Sequence, residues 1–311
     1  MVAGEQTIWS AIAGIASASP DSIGAILDGV SARLRLRPEL EVTLETNPGT
    51  IEHDRFDAYL RAGVNRLSFG IQSFDDGCLE RLGRIHDSAQ AERAVKMAQD
   101  AGFNNINLDL MYALPQQNIE MALHDLERAF TLSPTHLSHY QLTLEPNTVF
   151  AAKPPKGLPD DDASWDMQER CQARLADMGY QHYEVSAYAR PGHQCAHNLN
   201  YWRFGDYLGI GAGAHGKITL PANEGILRRW KVKHPRQYLD TAGTPASLGG
   251  DDWIAIEQRP FEYMLNALRL HEGFDLNAFE SRTGLSRDVI SAKLLNLRDD
   301  GLLAINDSRV A

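Results

Sequence analysis

Between Glu41 and Ala187 short apolar runs alternate with amphipathic helical patterns, and this alternation limits the possible folds more than any other feature of the chain. Glu41 to Glu45 reads as a strand, followed by a turn at Asn47-Pro48-Gly49 and a helix through Leu60. Arg66 to Ile71 is a second strand. From Ser88 onward Ala91, Ala94, Val95, Ala98 and Ala101 recur on one helical face, and Gly102 ends it. Ile106 to Leu110 is the next strand, stopped at Leu114-Pro115, and the following helix carries Ile119, Ala122, Leu123, Leu126 and Phe130 on one face. A strand at His136 to Leu144, a Pro-rich loop from Pro146 to Asp162, a helix with Cys171, Leu175 and Met178 in register, and a strand at Tyr183 to Ala187 complete the series. Units of this spacing form parallel sheets with right-handed crossovers. Periodicity alone leaves a barrel and a doubly wound sheet both open.

Polar residues mark where chemistry would sit. Glu45, Gln72, Asp109 and Thr143 each lie at or just past a strand's carboxyl end, the side on which β/α proteins build active sites. Any one of them alone reads as a cap or a loop contact. After Ala189 the pattern changes: Ile226 to Val232 suggests a hairpin strand after Asn223-Glu224-Gly225. From Asp251 the chain reads as helical, with Trp253 to Leu270, Asp275 to Arg282 and Ser286 to Leu297. Asp275 and Ser286 are candidate N-caps and Gly301-Leu302-Leu303 opens a possible wing strand, the outline of a small winged-helix module.

Composition excludes several classes. A formal net charge of −11 opposes a general nucleic-acid binder, and no stretch approaches the roughly 20 apolar residues of a membrane-spanning helix. The first 19 residues lack a basic n-region and do not read as a signal peptide. Only three cysteines occur, Cys78, Cys171 and Cys195, with no C-x-x-C pair; this points to a reducing, cytoplasmic setting.

Gly211-x-Gly213-x-x-Gly216 satisfies the dinucleotide pattern, but Lys217-Ile218-Thr219-Leu220 and a turn follow it instead of a helix. Glycines there suit close approach of a strand to a neighbour or ligand. His193-x-Cys195-x-His197 offers two imidazoles and a thiol at period two, a thin metal signal whose plainer reading is chance clustering. In the run His197 to Trp202, a histidine and the aromatic pair Tyr201-Trp202 offer an axial ligand for heme iron and flat surfaces for a macrocycle. Arg228, Arg229, Lys231, Lys233 and Arg236 form either a solvated hairpin or a clamp for porphyrin propionates.

Six segments, in order, resemble the radical S-adenosylmethionine (SAM) heme chaperones of the HemW type, relatives of oxygen-independent coproporphyrinogen III oxidase. They are Glu45 to Thr50, Val64 to Phe74, Leu82 to His86, Asn107 to Pro115, Tyr140 to Thr148, and His197 to Trp202 continuing to Gly216. The His-Asn-x-x-Tyr-Trp run favours the chaperone over the oxidase. The resemblance implies an α/β fold: a partial (β/α)6 barrel with its first strand missing and a small C-terminal winged-helix-like domain. It divides the chain into a non-matching segment 1–20, a barrel with the heme-motif loop over 21–240, and a C-terminal domain over 241–311.

The resemblance also assigns Glu45, Gln72, Arg84, Asp109 and Thr143 to SAM, and His197, Tyr201 and Trp202 to heme. It implies a protein that hands heme to acceptors, including membrane-associated respiratory proteins, without itself crossing the membrane. The family's [4Fe–4S] cluster is held by a C-x-x-x-C-x-x-C loop that these 311 residues do not contain. An N-terminally truncated chain with no metal ligands and no radical chemistry of its own is the expectation, which leaves its standing as an enzyme open.

Overall fold

The computed structural model describes residues 10–12, 19–49, 56–146, 148–220 and 225–311. The chain forms two compact units, Met1–Cys195 and Ala196–Ala311.

The first unit runs β1 (Ser10–Ile12), α1 (Pro20–Ser31), β2 (Val42–Thr46), α2 (Phe56–Arg61), β3 (Arg66–Gln72), α3 (Asp76–Arg81), α4 (Ser88–Asp100), β4 (Ile106–Tyr112) and α5 (Ile119–Thr131). It continues with β5 (His136–Gln141), α6 (Val149–Ala152), α7 (Asp161–Asp177), β6 (Gln181–Glu184) and β7 (Ala187–Ala189). One seven-stranded sheet has the order β1-β2-β3-β4-β5-β7-β6. Pairings from β1 to β5 are parallel. β7 is antiparallel to both β5 and β6, so β6 points the same way as the first five. Six co-directional strands alternate with helices: the five strands read from the sequence have β1 added at one edge, and antiparallel β7 is inserted between β5 and β6.

Side-chain caps start the helices. Asp87 and Gln90 form a reciprocal capping box at α4, and Asn118 and Asp160 accept backbone N–H groups at the starts of α5 and α7. Successive side chains on a strand point to opposite faces, and the two faces of this sheet differ. Val42, Leu44, Leu67, Phe69, Ile71, Ile106, Leu108, Leu110 and Leu137 join the helices in one buried cluster, with Ala91, Ala94, Val95 and Ala98 of α4 and Leu126 of α5. At about 25 cal/mol per Å² of apolar surface, this cluster is the main stabilising term of the unit. The opposite face is polar and carries the candidate site.

Two sequence expectations are corrected here. Tyr183 to Ala187 is not one strand: the chain turns at Val185-Ser186 and returns as β7. A three-residue β1 pairs with β2 at the edge where no first strand was expected; an extended backbone can pair whatever side chains it carries.

The second unit runs α8 (Ala196–Trp202), β8 (His215–Leu220), β9 (Gly225–Lys231), α9 (Pro235–Thr241), β10 (Leu248–Trp253) and α10 (Arg259–Ala267). Then come β11 (Phe274–Asp275), α11 (Leu276–Thr283), α12 (Asp288–Asp299), β12 (Ile305–Asn306) and β13 (Arg309–Val310). β8, β9 and β10 form one antiparallel sheet, and β11, β13 and β12 a second, the small wing. Tyr263 anchors the core, edge-on to Phe204, Phe274 and Phe279. Asp275 caps α11 as expected. Trp253 is the end of a strand, not the start of a helix, because β10 pairs along β9; α10 begins at Arg259. The turn expected at Asn223-Glu224 lies outside the described residues, as do Thr50 and Asn147 of the matched segments.

Candidate functional site

The polar face of the first unit's sheet is built from alternate residues in register. Thr43 lies beside Arg66, Glu45 beside Ser68, Ser68 beside Asn107, and Asn107 beside His136. One step toward the carboxyl ends, Gly70 lies beside Asp109 and Asp109 beside Ser138; beyond these Met111 pairs with Tyr140.

Asn107 ties this face together. Its amide donates to Ser68 Oγ and to Asp109 Oδ1, each at 2.8 Å. Its carbonyl oxygen accepts from His136 Nδ1 at 2.6 Å and from Ser138 Oγ at 3.1 Å. All four of its hydrogen-bonding positions are therefore used. Ser68 Oγ also donates to Asp109 Oδ2 at 3.3 Å, and Tyr183 Oη donates to His136 Nε2 at 2.8 Å. Burial raises the Asp109 carboxyl above its ordinary range, against the opposing pull of Asn107, Ser138, Arg66 and Ser68. Deeper in the sheet Arg66 is 2% exposed, 4.0 Å from Glu41 and 3.5 Å from Thr43 Oγ1.

At the carboxyl ends the backbone is strained. A bulge separates Gly70 from Gln72, and Gln72 takes φ +73, the left-handed region that non-glycine residues rarely enter. Such outliers gather where a site needs a side chain in a set direction. A Cβ on Gly70 would sit 3.0 Å from Gln72 Nε2, so the glycine leaves room for the amide. Tyr140 Oη donates to Gln72 Oε1 at 3.0 Å. Arg84 follows α3 in an exposed loop, and that loop is pinned by buried His86, whose Nε2 donates to the Ile71 carbonyl at 3.1 Å.

Of the five residues assigned to SAM, Gln72 and Asp109 stand on adjacent strands. Gln72 touches Tyr140 directly, and the Tyr140 phenol feels the charges of Asp109, Arg84 and Glu45. Thr143 lies two residues past β5 and donates to Glu145 Oε1 at 3.2 Å, within its own loop. Tyr140, Asn107, Ser68 and His136 were not singled out from the sequence. The signal was present: polar residues recur every second position in the apolar runs Arg66-x-Ser68-x-Gly70-x-Gln72 and Asn107-x-Asp109.

In the second unit, His197, Tyr201 and Trp202 are half-buried on α8. The His197 and Tyr201 rings meet edge-on at 6.2 Å, and Tyr201 meets Tyr207 edge-on at 4.8 Å. The Arg269 guanidinium lies 4.2 Å from the Trp202 ring centroid, and the buried indole N–H finds no acceptor among the described residues. The glycine triplet is not a nucleotide loop: a Cβ on Gly216 would meet the Gly209 and Tyr207 backbones at 3.1 Å. Two members of the basic stretch are spent on ion pairs, Arg228 with Glu262 and Arg229 with Asp251.

The groups on this face suit a sulfonium nucleoside: two carboxylates to accept from hydroxyls and an ammonium, an amide, a phenol and a guanidinium, beside a glycine with no Cβ. The cysteines do not suit an iron–sulfur cluster. Cys78, Cys171 and Cys195 are all buried and stand on α3, on α7 and before α8. Burial pushes the Cys78 thiol up to about 11 and the Cys171 thiol up to about 12, the reverse of what a thiolate ligand needs.

The Radical SAM superfamily model matches residues 12–129, and the HemN C-terminal domain model matches residues 255–311. Among solved structures, coproporphyrinogen III oxidase (HemN) from Escherichia coli superposes with a TM-score of 0.75 at 23% identity. That match covers 94% of this chain and 70% of the other, and it establishes a shared fold. The class is therefore that of radical-SAM α/β proteins carrying a HemN-type C-terminal domain. The heme chaperone HemW of Escherichia coli (strain K12) is 51% identical over 276 residues, 89% of this chain and 71% of that protein. The protein of the same name from Haemophilus influenzae is 50% identical, over 89% of this chain and 70% of its own length. The chain belongs to the HemW family of heme chaperones.

Proposed function

We propose that this chain binds heme through the His197-Tyr201-Trp202 surface, binds SAM at Glu45, Gln72, Arg84 and Asp109, with Thr143 at the margin, and passes heme to acceptor proteins. The observation that carries this reading is the bond of Tyr140 to Gln72 at the end of β3, with the Asp109, Glu45 and Arg84 charges acting on the same phenol, in a member of a heme-chaperone family. The imidazole of His197 supplies a ligand for iron, while the Tyr201 and Trp202 rings give apolar surface for the macrocycle. In this scheme residues 21–240 hold SAM and heme, and residues 241–311 form the appended domain. The setting is the cytoplasm, with membrane-associated respiratory proteins among the acceptors. No helix among the described residues is long and apolar enough to cross a membrane.

When bound, SAM supplies a sulfonium and an adenosyl group; the part of this chain is to hold them with Asp109, Glu45 and the Gln72 amide. No radical step is assigned, because the thiols present do not fit a cluster. A second reading, an oxidase-like enzyme acting on a porphyrinogen, draws on the fold shared with HemN. A transfer assay separates the two. The heme-loaded chain is mixed with an apo b-type cytochrome domain and heme arrival is followed by absorbance. Transfer faster than from free hemin supports the chaperone. Consumption of coproporphyrinogen with no heme transfer refutes it in favour of the enzyme.

A further inference from the structure

Tyr140 holds a place in this site that none of the five assigned residues explains. It stands on β5, paired with Met111 of β4, yet its hydroxyl reaches past β4 to Gln72 at the end of β3. Two strand spacings, roughly 10 Å, separate β3 from β5, so the phenol and the amide each cover part of the gap. Gln72 is buried, and its backbone is committed to φ +73 at the bulge. Burial and the Tyr140 bond together hold its side chain in that spot. Burial and the nearby Asp109 and Glu45 carboxylates push the Tyr140 phenol up to about 12, although Arg84 and the Gln72 bond pull the other way. The phenol stays protonated in neutral solution, and the geometry sets the direction of the contact. Tyr140 gives its proton to Oε1, and Nε2 lies over Gly70, where a Cβ would come within 3.0 Å of it.

We infer that Tyr140 is a positioning residue of the SAM site: its hydroxyl fixes the Gln72 amide so that the N–H end is the one left for an acceptor on the bound ligand. This rests on the reading of Glu45, Gln72, Arg84 and Asp109 as that site. Tyr140 acts through Gln72, so its contribution exists only while the amide is present.

The test is a double-mutant cycle on the full chain, with dissociation constants for SAM measured by equilibrium dialysis and melting temperatures measured alongside. Tyr140→Phe should weaken binding about five- to tenfold, the scale of one hydrogen bond. Gln72→Ala should weaken it further, and the double variant should bind no worse than Gln72→Ala alone. Gln72→Glu still accepts from the phenol but has no N–H to offer, so it should lose as much affinity as Gln72→Ala. This second variant keeps the inference exposed if Tyr140→Phe does not fold. Losses that multiply in the double variant, unchanged binding by Tyr140→Phe, or wild-type binding by Gln72→Glu would overturn the role of Tyr140. Those results, combined with loss of binding in Asp109→Ala, would leave the site itself standing. A wild-type chain that binds no SAM would remove the site and this role together.

Discussion

Asp125 makes the stability of the first unit depend on pH, and Asp125→Asn isolates the effect. The carboxyl is 2% exposed and accepts from the Phe74 backbone N–H at 2.6 Å, Ser73 Oγ at 2.8 Å and Gln117 Nε2 at 3.3 Å. It pins the turn after β3 to α5. Burial dominates its titration and raises the group from 3.8 to about 7; the bonds from Phe74 and Ser73 and the Arg128 charge oppose the rise, and Asp75 adds to it. Between those two values the folded chain holds a proton that the unfolded chain has released. Stability from this group is thus complete below about pH 4 and is lost as pH rises toward 7. A shift of this size corresponds to roughly 4 kcal/mol across the window. Asparagine keeps an acceptor oxygen but never ionises, so the variant lacks the term. Urea unfolding of both proteins at pH 4.5, 6, 7 and 8 reads it directly. Relative to the variant, the wild type should lose roughly 3–4 kcal/mol between the ends of the series. His86 and His139 are lowered by burial and lose stability in the opposite direction, toward acid, but they are common to both proteins and cancel. A difference that stays constant with pH would refute the reasoning: Asp125 would then be ionised in the fold, its donors outweighing its burial.

Other substitutions test separate links. Asp87→Ala removes half of the α4 capping box and should lower stability by about 1 kcal/mol in the same unfolding assay. Gly209→Ala would drive a Cβ into the His215 carbonyl, where the Tyr207–Lys217 bridge needs close approach. It should destabilise the second unit by about 1–3 kcal/mol, seen as a lower melting temperature. Gly70→Ala presses on Gln72 Nε2 and should weaken SAM binding several-fold with little change in melting temperature, a pairing that dialysis and calorimetry resolve.

How much the sequence disclosed depended on whether the deciding contact was local. The helix from Ser88 was legible because Ala91, Ala94, Val95 and Ala98 repeat at helical spacing and all four are buried. The strand-end positions of Glu45 and Gln72 were legible because the apolar runs show where β2 and β3 stop, whereas β4 runs on to Tyr112 and leaves Asp109 inside it. Tyr140 was not legible, since its bond to Gln72 joins residues 68 apart and depends on the order of strands in the sheet. The helix expected over Trp253 to Leu270 is present, but its start at Trp253 failed for a similar reason. Its apolar spacing fits a helix, but β10 is held by pairing with β9 and by Gly250, whose missing side chain makes room for the Trp230 ring. The left-handed backbone at Gln72 has no sequence signature, because it arises from a bulge between two particular strands.

Heme binding is the central claim, and a hemin titration followed at the Soret band tests it most directly. The full chain should show a saturable shift at one heme per chain, and His197→Ala should weaken the affinity at least tenfold while its melting temperature holds. A wild-type titration with no saturable shift, or wild-type and His197→Ala curves that superimpose, would contradict the account.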